Sequence, residues 1–177
     1  MNSKKLEPNA GSWSSNGKHS HPLKEKPMST TIVQKFDRSM IEVYLQERDF
    51  KYLTDRDGDF RLDFVYDEET DCEPSVWFIT EGEENEIFVM RGLSNKRIRK
   101  EDWEKATNLC NEWNQKRRWP KAYLNVREPE ESTASIHLEF QIDLEHGIHQ
   151  DLLNSMAATF LASSFNFWRW LHQEQGM

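Results

Sequence analysis

Along the chain, apolar positions change their spacing several times, and the changes outline the elements. From Thr31 to Arg48 the spacing is helical: Ile32, Val33, Phe36, Met40, Val43 and Tyr44 recur every three to four residues. Thr31 and Gln34 stand at the interval of a capping box, which predicts the helix start. Phe60 to Tyr66, Val76 to Thr80 and Glu86 to Arg91 then read as strands, with Gly92 expected to close the third. Helical spacing returns between Lys100 and Arg117, where Trp103, Ala106, Cys110 and Trp113 share a face. Pro120 stops that helix. Strands are predicted over Ala122 to Arg127 and Ser135 to Asp143, the second with Ile136, Leu138, Phe140, Ile142 and Leu144 alternating onto one side. A last helix is predicted from Ile148 to Gln173. The order is α-β-β-β-α-β-β-α, an α+β domain over residues 29–173 with an antiparallel sheet packed against helices.

One stretch tests the strand reading. "DRDGDFRLDF", Asp55 to Phe64, sets three aspartates around a glycine, as calcium loops do. An EF-hand loop needs its glycine at position 6 and a glutamate at position 12. Counted from Asp55, Gly58 is fourth and the twelfth residue is Tyr66. The residues that follow alternate with a period of two. Asp-Gly is a turn signal, so the stretch is read as the turn that opens a strand.

The last helix carries more apolar surface than one core face needs. Leu152, Met156, Phe160, Phe167 and Leu171 form one stripe, and Leu153, Ala157, Leu161, Phe165, Trp168 and Trp170 fill much of another. A spare face would meet a partner, and Leu153, Phe160, Leu161, Phe165 and Trp168 are the expected contact residues. Burial inside the chain is the competing reading.

Charge refines this outline. The 177 residues sum to −8. Residues 1–28 hold five lysines against two glutamates, a local +3 that leaves −11 for the rest. Their Ser, Asn, Lys, Pro and Gly content lacks apolar periodicity, and they are read as a disordered basic tail. An acidic chain is a poor generic nucleic-acid binder. Two basic clusters remain, "KRIRK" from Lys96 and "QKRRW" ending at Trp119. Arg97, Arg99, Arg117, Arg118 and Trp119 form the candidate patch for a nucleic acid or other anionic ligand. "DEETDCEP" and "EGEEN" read as solvated acidic hairpin tips.

Catalytic and metal chemistry find no motif. His146 and His149 in "EHGIH" lack the glutamate of H-E-x-x-H, and Gly147 between them signals a strand-to-helix turn. His137 is expected to point away from the Ile136 side. His19 and His21 lie in the tail. No phosphate loop, dinucleotide fingerprint or nucleophile elbow occurs. No catalytic residue, metal ligand or cofactor is expected. Cys72 and Cys110 are read as small half-buried side chains in a reducing compartment. Neither an apolar leader nor a membrane span is found, so a cytoplasmic location is expected.

"NLCNEWNQKRRWPKAYLNV" and "HLEFQIDLEHGIHQDLL" carry a further signal. Asn108, Asn111, Trp113 and Asn114 close a helix, a strand follows Pro120, Leu138 and Glu139 sit in the next strand, and Leu144, Gly147 and Ile148 open the last helix. This pattern resembles the YbjN family of bacterial proteins over about residues 32–172. The resemblance implies a fold similar to type III secretion chaperones, with the same element order. It also implies a regulatory or stress-response role, a homodimer and a protein partner, without a catalytic residue. The tail and the high tryptophan content depart from the family pattern. The resulting expectation is a non-enzymatic interaction module that binds a partner segment through the sheet and the last helix.

Overall fold

The computed structural model describes residues 32–128 and 130–177. The basic tail, the histidines within it and the Thr31 half of the capping box lie outside the described residues. The elements are α1 (Arg38–Glu47), β1 (Leu53–Thr54), β2 (Phe60–Asp63), β3 (Pro74–Glu81), β4 (Ile87–Ser94), β5 (Ile98–Arg99), a 3-10 turn (Lys100–Asp102), α2 (Trp103–Lys116), β6 (Lys121–Asn125), β7 (Thr133–Asp143), α3 (Gln150–Arg169) and a closing π turn (Trp170–Glu174). The expected order holds, with two very short strands, β1 and β5, added to it.

The strands form one antiparallel sheet in the order β1-β2-β3-β4-β7-β5, with β6 also on β7. β7 is the organiser: Leu138 to Asp143 pair with β4, Ser135 to Glu139 with β6, and Thr133 and Ala134 with β5. Alternation decides which side of the sheet is covered. Phe60, Leu62, Val76, Phe78, Phe88, Met90, Ala122, Ile136 and Leu138 point to one side and join a single buried cluster with all three helices.

The Asp55 turn settles as the sequence suggests. The Asp55 carboxylate accepts from the amides of Asp57 and Asp59 at 2.9 and 3.0 Å. Gly58 takes φ +84°, a region open to glycine at little cost. Asp59 accepts from the Thr80 amide at 3.2 Å, which ties the turn to β3. The Asp55 and Asp59 carboxylates thus serve backbone amides, and no group of metal-ligating side chains occurs among the described residues.

Four expectations need correction. The first helix begins at Arg38, because Gln34 exchanges backbone hydrogen bonds with Ile148 at 3.1 and 2.9 Å and is held extended. Asp37 is the cap, accepting from the Ser39 amide at 2.7 Å. β4 runs through Gly92 to Ser94. A Cβ at Gly92 would lie 3.2 Å from that of Leu138 and 3.5 Å from the Ser164 hydroxyl, so the glycine admits α3 to the sheet instead of ending the strand. Cys72 and Cys110 are fully buried, and burial pushes both thiols up to about 11.

The fourth correction concerns α3. Leu153, Phe160, Leu161 and Trp168, four of the five expected contact residues, are between 0% and 7% exposed within the chain. Phe165 is half-buried, its ring 5.0 Å from Phe64 and edge-on to it. The two apolar stripes have two internal partners. One side meets the sheet and α1, and the other meets α2, where Phe167 packs edge-on against Trp113 at 5.1 Å. Of the stripe residues only Leu152 is left substantially exposed, at 44%. No described helix is long and apolar enough to cross a membrane.

Candidate functional site: the helix-free face of the sheet

The opposite face of the sheet is where unlike residues meet. Pairing register aligns Arg61, Trp77, Arg91, Glu139 and Lys121 in one row across five strands. The Arg61 guanidinium lies over the Trp77 ring, 5.5 Å from its centre. Glu139 accepts from Arg91 at 3.2 Å and from the Tyr123 hydroxyl at 3.1 Å, with Lys121 at 3.5 Å. Burial pushes the Glu139 carboxyl up, but the bonds from Arg91 and Tyr123 and the Lys121 charge outweigh it and leave the group below its ordinary value. Burial, and then the Glu139 charge, push the Tyr123 hydroxyl up.

Beside this row the face is graded. Toward one end lie Ile79, Val89 and Gln141, then Glu81, Ile87 and Asp143. The glutamates of the β3–β4 turn lie toward the covered side instead, where Glu83, Glu84 and Glu86 line a groove with Lys35 and Phe36 and Glu84 pairs with Lys35 at 2.7 Å. Toward the other end, Arg61, Arg97, Arg127 and His137 line a groove of about 420 Å³ with Ser75 and Ser135. One end of the face is acidic and the other is rich in cations, though the chain as a whole is acidic.

His137 sits at the centre of the cationic end. Asn125 Nδ2 and Ser135 Oγ each lie 3.2 Å from its Nε2. With its proton on Nδ1 the neutral ring accepts from the Asn125 amide through Nε2, and the Ser135 hydroxyl, which can donate or accept, lies beside the same nitrogen. Burial lowers the His137 pKa, and the charges of Arg91, Arg127 and Arg97 lower it further. One imidazole thus feels three guanidiniums. Arg61 is paired with Asp63 at 2.8 Å, and Arg97 reaches Glu131 at 3.8 Å and the Thr133 hydroxyl at 3.4 Å. Arg127 is exposed and has no ion-pair partner among the described residues. The Arg91 Nε is buried without an acceptor among them.

The expected basic patch divides. Arg97 and Arg99 precede α2 and Arg117 and Arg118 follow it, so a helix of 14 residues, about 21 Å of rise, separates the pairs. Arg99 is held by Glu101 at 2.7 Å and Asp102 at 3.4 Å. Arg117 stacks over Trp113 at 5.7 Å and Trp119 packs edge-on to Phe140 at 5.3 Å. Arg97 alone joins the groove. Arg61, Arg91, Arg127 and Trp77 escaped sequence reasoning, while His137 faces away from the Ile136 side as expected. For Arg61, Trp77, Arg91 and His137 the signal was present, since each alternates with core residues along its strand; Arg127, just beyond β6, has no such signal. His149 caps α3, its Nδ1 accepting from the Leu152 amide at 3.1 Å.

Comparison with known proteins adds family and fold. The YbjN family model, described as "Putative bacterial sensory transduction regulator", matches residues 37–173. Among solved structures the chain is similar to YbjN from E. coli, with 9% identity, 81% of this chain and 96% of that one covered, and a TM-score of 0.62. It is also similar to an uncharacterized protein from Methanothermobacter thermautotrophicus, at 18% identity over 77% of this chain and 96% of that one, with a TM-score of 0.46. No curated protein matches. The E. coli likeness is one of fold.

Proposed function

This chain belongs to the YbjN family, and on that premise we propose that it is a regulatory, non-catalytic interaction module that pairs with a second copy of itself through the helix-free face of its sheet. The family description supports the regulatory half of this reading, as does the description of the E. coli protein as "a putative transcription regulator".

The observation that carries the pairing is the charge gradient along the face. A two-fold axis lying in the sheet plane and across the strands turns the face over and reverses its ends. The acidic end of one copy, Glu81 and Asp143, then meets the cationic end of the other, Arg61, Arg97 and Arg127. Such an interface is isologous and closed, as in most symmetric dimers. Trp77, Ile79, Ile87 and Leu93, half-buried in the single chain, supply its apolar centre. A central aromatic flanked by arginine is the composition of an energetic hot spot. The α3 side chains contribute by packing the covered side of the sheet, not by touching the partner.

Light scattering of the full chain over a concentration series tests this. The expected result is twice the chain mass, falling to a single chain in Trp77→Ala with its helical circular dichroism unchanged. A single-chain mass at every concentration sinks the pairing and leaves the face open to a different protein.

A further inference from the structure

We infer that the groove beneath His137 is a binding site for a small phosphate-type oxyanion, held by Arg61, Arg97 and Arg127. The inference stands on the groove and does not require the dimer.

The volume is the first reason. About 420 Å³ is within the range of small-molecule sites and larger than a bare oxyanion fills. Phe64, Pro74 and Leu93 give part of the lining an apolar character, so the site suits an oxyanion with a compact organic body. The second reason is donor supply. Three guanidiniums, three hydroxyls (Ser75, Ser94 and Ser135) and the Asn95 amide line one concavity. Guanidinium forks match the oxygens of a phosphate better than a point charge does. Part of this supply is unspent: Arg127 has no ion-pair partner among the described residues, and the Arg97 to Glu131 separation of 3.8 Å is too long for a strong charged hydrogen bond. Nearby, the buried Arg91 Nε also lacks an acceptor.

The groups facing His137 fix how binding responds to pH. From its own strand come Ser135 and Glu139, from β4 Arg91, from β6 Tyr123 and Asn125, and from the flanking segments Arg97 and Arg127. Asp63 and Glu73 line the groove as counter-charges. The charges that act on the ring are Arg91, Arg127 and Arg97 against Glu139 alone, so an arriving oxyanion offsets them and favours the imidazolium. Binding therefore takes up a proton and tightens as pH falls, until the ligand itself protonates.

The test follows the His137 ring resonance of the full-length protein by NMR against pH, assigned with His137→Asn. Inorganic phosphate, phenyl phosphate and malonate are added separately, with chloride as the ionic-strength control. The expected result is a higher titration midpoint with both phosphates. Arg127→Gln, which alters an exposed side chain, should weaken phosphate about ten-fold or more. Tighter binding of phenyl phosphate identifies an organic ester as the ligand form, and equal binding identifies the free ion; each supports the site. No ring response to either phosphate overturns it. So does a response that chloride reproduces, that persists unchanged in Arg127→Gln and Arg97→Gln, or that malonate matches. Phosphate that also lowers the solution mass shows competition with the second copy's acidic end, whereas the ring resonance reports the groove whether or not the mass changes.

Discussion

The two faces of this sheet are made by the same strands and the same alternation, yet they obey different rules. The inner face is uniform. Phe60, Leu62, Val76, Phe78, Phe88 and Met90 are each between 0% and 6% exposed. Many residues could replace one another there if volume were kept. The outer face is specific. Its central row, Arg61, Trp77, Arg91, Glu139 and Lys121, depends on particular donors, acceptors and one aromatic surface. The inner face answers to the helices that cover it. The outer face has no described helix over it, and its order comes from side chains bracing one another. Function is therefore sought where alternation leaves polar and aromatic residues half-buried together.

Substitutions on the two sides sharpen this contrast. The largest effect is expected inside. Phe160→Ala should cost about 3–5 kcal/mol in urea unfolding, because it empties a packed site beneath α3. An intact fold with lost self-association would instead return α3 to the role of partner surface. Glu139→Ala should cost about 1–2 kcal/mol, since Arg91, Tyr123 and Lys121 all lose their shared acceptor. An unchanged unfolding midpoint would mean the row is ornamental to stability. Trp77→Ala should change stability by no more than about 1 kcal/mol, while abolishing the dimer.

Acid is the gentlest probe, and it reaches both sides. His137 is on the outer face. His172 is on the helix side, stacked on Trp168 and bonded through Nδ1 to the Met177 carbonyl oxygen at 2.7 Å. Burial lowers both pKa values from 6.5. The folded protein keeps each ring neutral where the unfolded chain already binds protons. Stability is then fully present above 6.5 and is lost as pH falls from there toward the folded-state values. Thermal midpoints taken between pH 7.5 and 5 should fall, and His172→Phe should flatten part of the slope. A midpoint indifferent to pH over that interval would contradict the buried neutral state of both rings.

How far each feature could be read from the sequence follows from the range of the forces behind it. The Asp55 turn is local: one aspartate carboxylate and one glycine conformation define it, within five residues. The alternation of β7 is local too, and so is the helical face of Trp103, Ala106, Cys110 and Trp113. The start of α1 was misread because Gln34 is claimed by Ile148, more than a hundred residues away. Gly92 has the local look of a strand terminator, because the helix it admits lies far along the chain. Two-residue strands such as β1 and β5 carry no periodicity of their own and exist only through their neighbours.

The candidate site shows the same division. Arg97 was singled out as part of a basic cluster, a property of composition. Its companions in the groove, Arg61, Arg127 and His137, come from three separate segments and sit among acidic or apolar neighbours in sequence. Alternation puts Arg61 and His137 on the uncovered side of their strands, but nothing local brings the three together.

By itself, then, the sequence determined the element order, the α+β class, the covered side of β2 and β7 and the family. These follow from spacing, turn chemistry and hydrophobic burial, which act over a few residues or depend only on apolar content. Tertiary structure alone decided two things. It turned the broad apolar surface of α3 inward, because the sheet with α1 on one side and α2 on the other could cover it. It also set the register that lines Arg61, Trp77, Arg91, Glu139 and Lys121 into one row and gathers the guanidiniums about His137. Register is a cooperative choice among whole strands, made where burying one face is most complete, and the outer face inherits its arrangement from that choice.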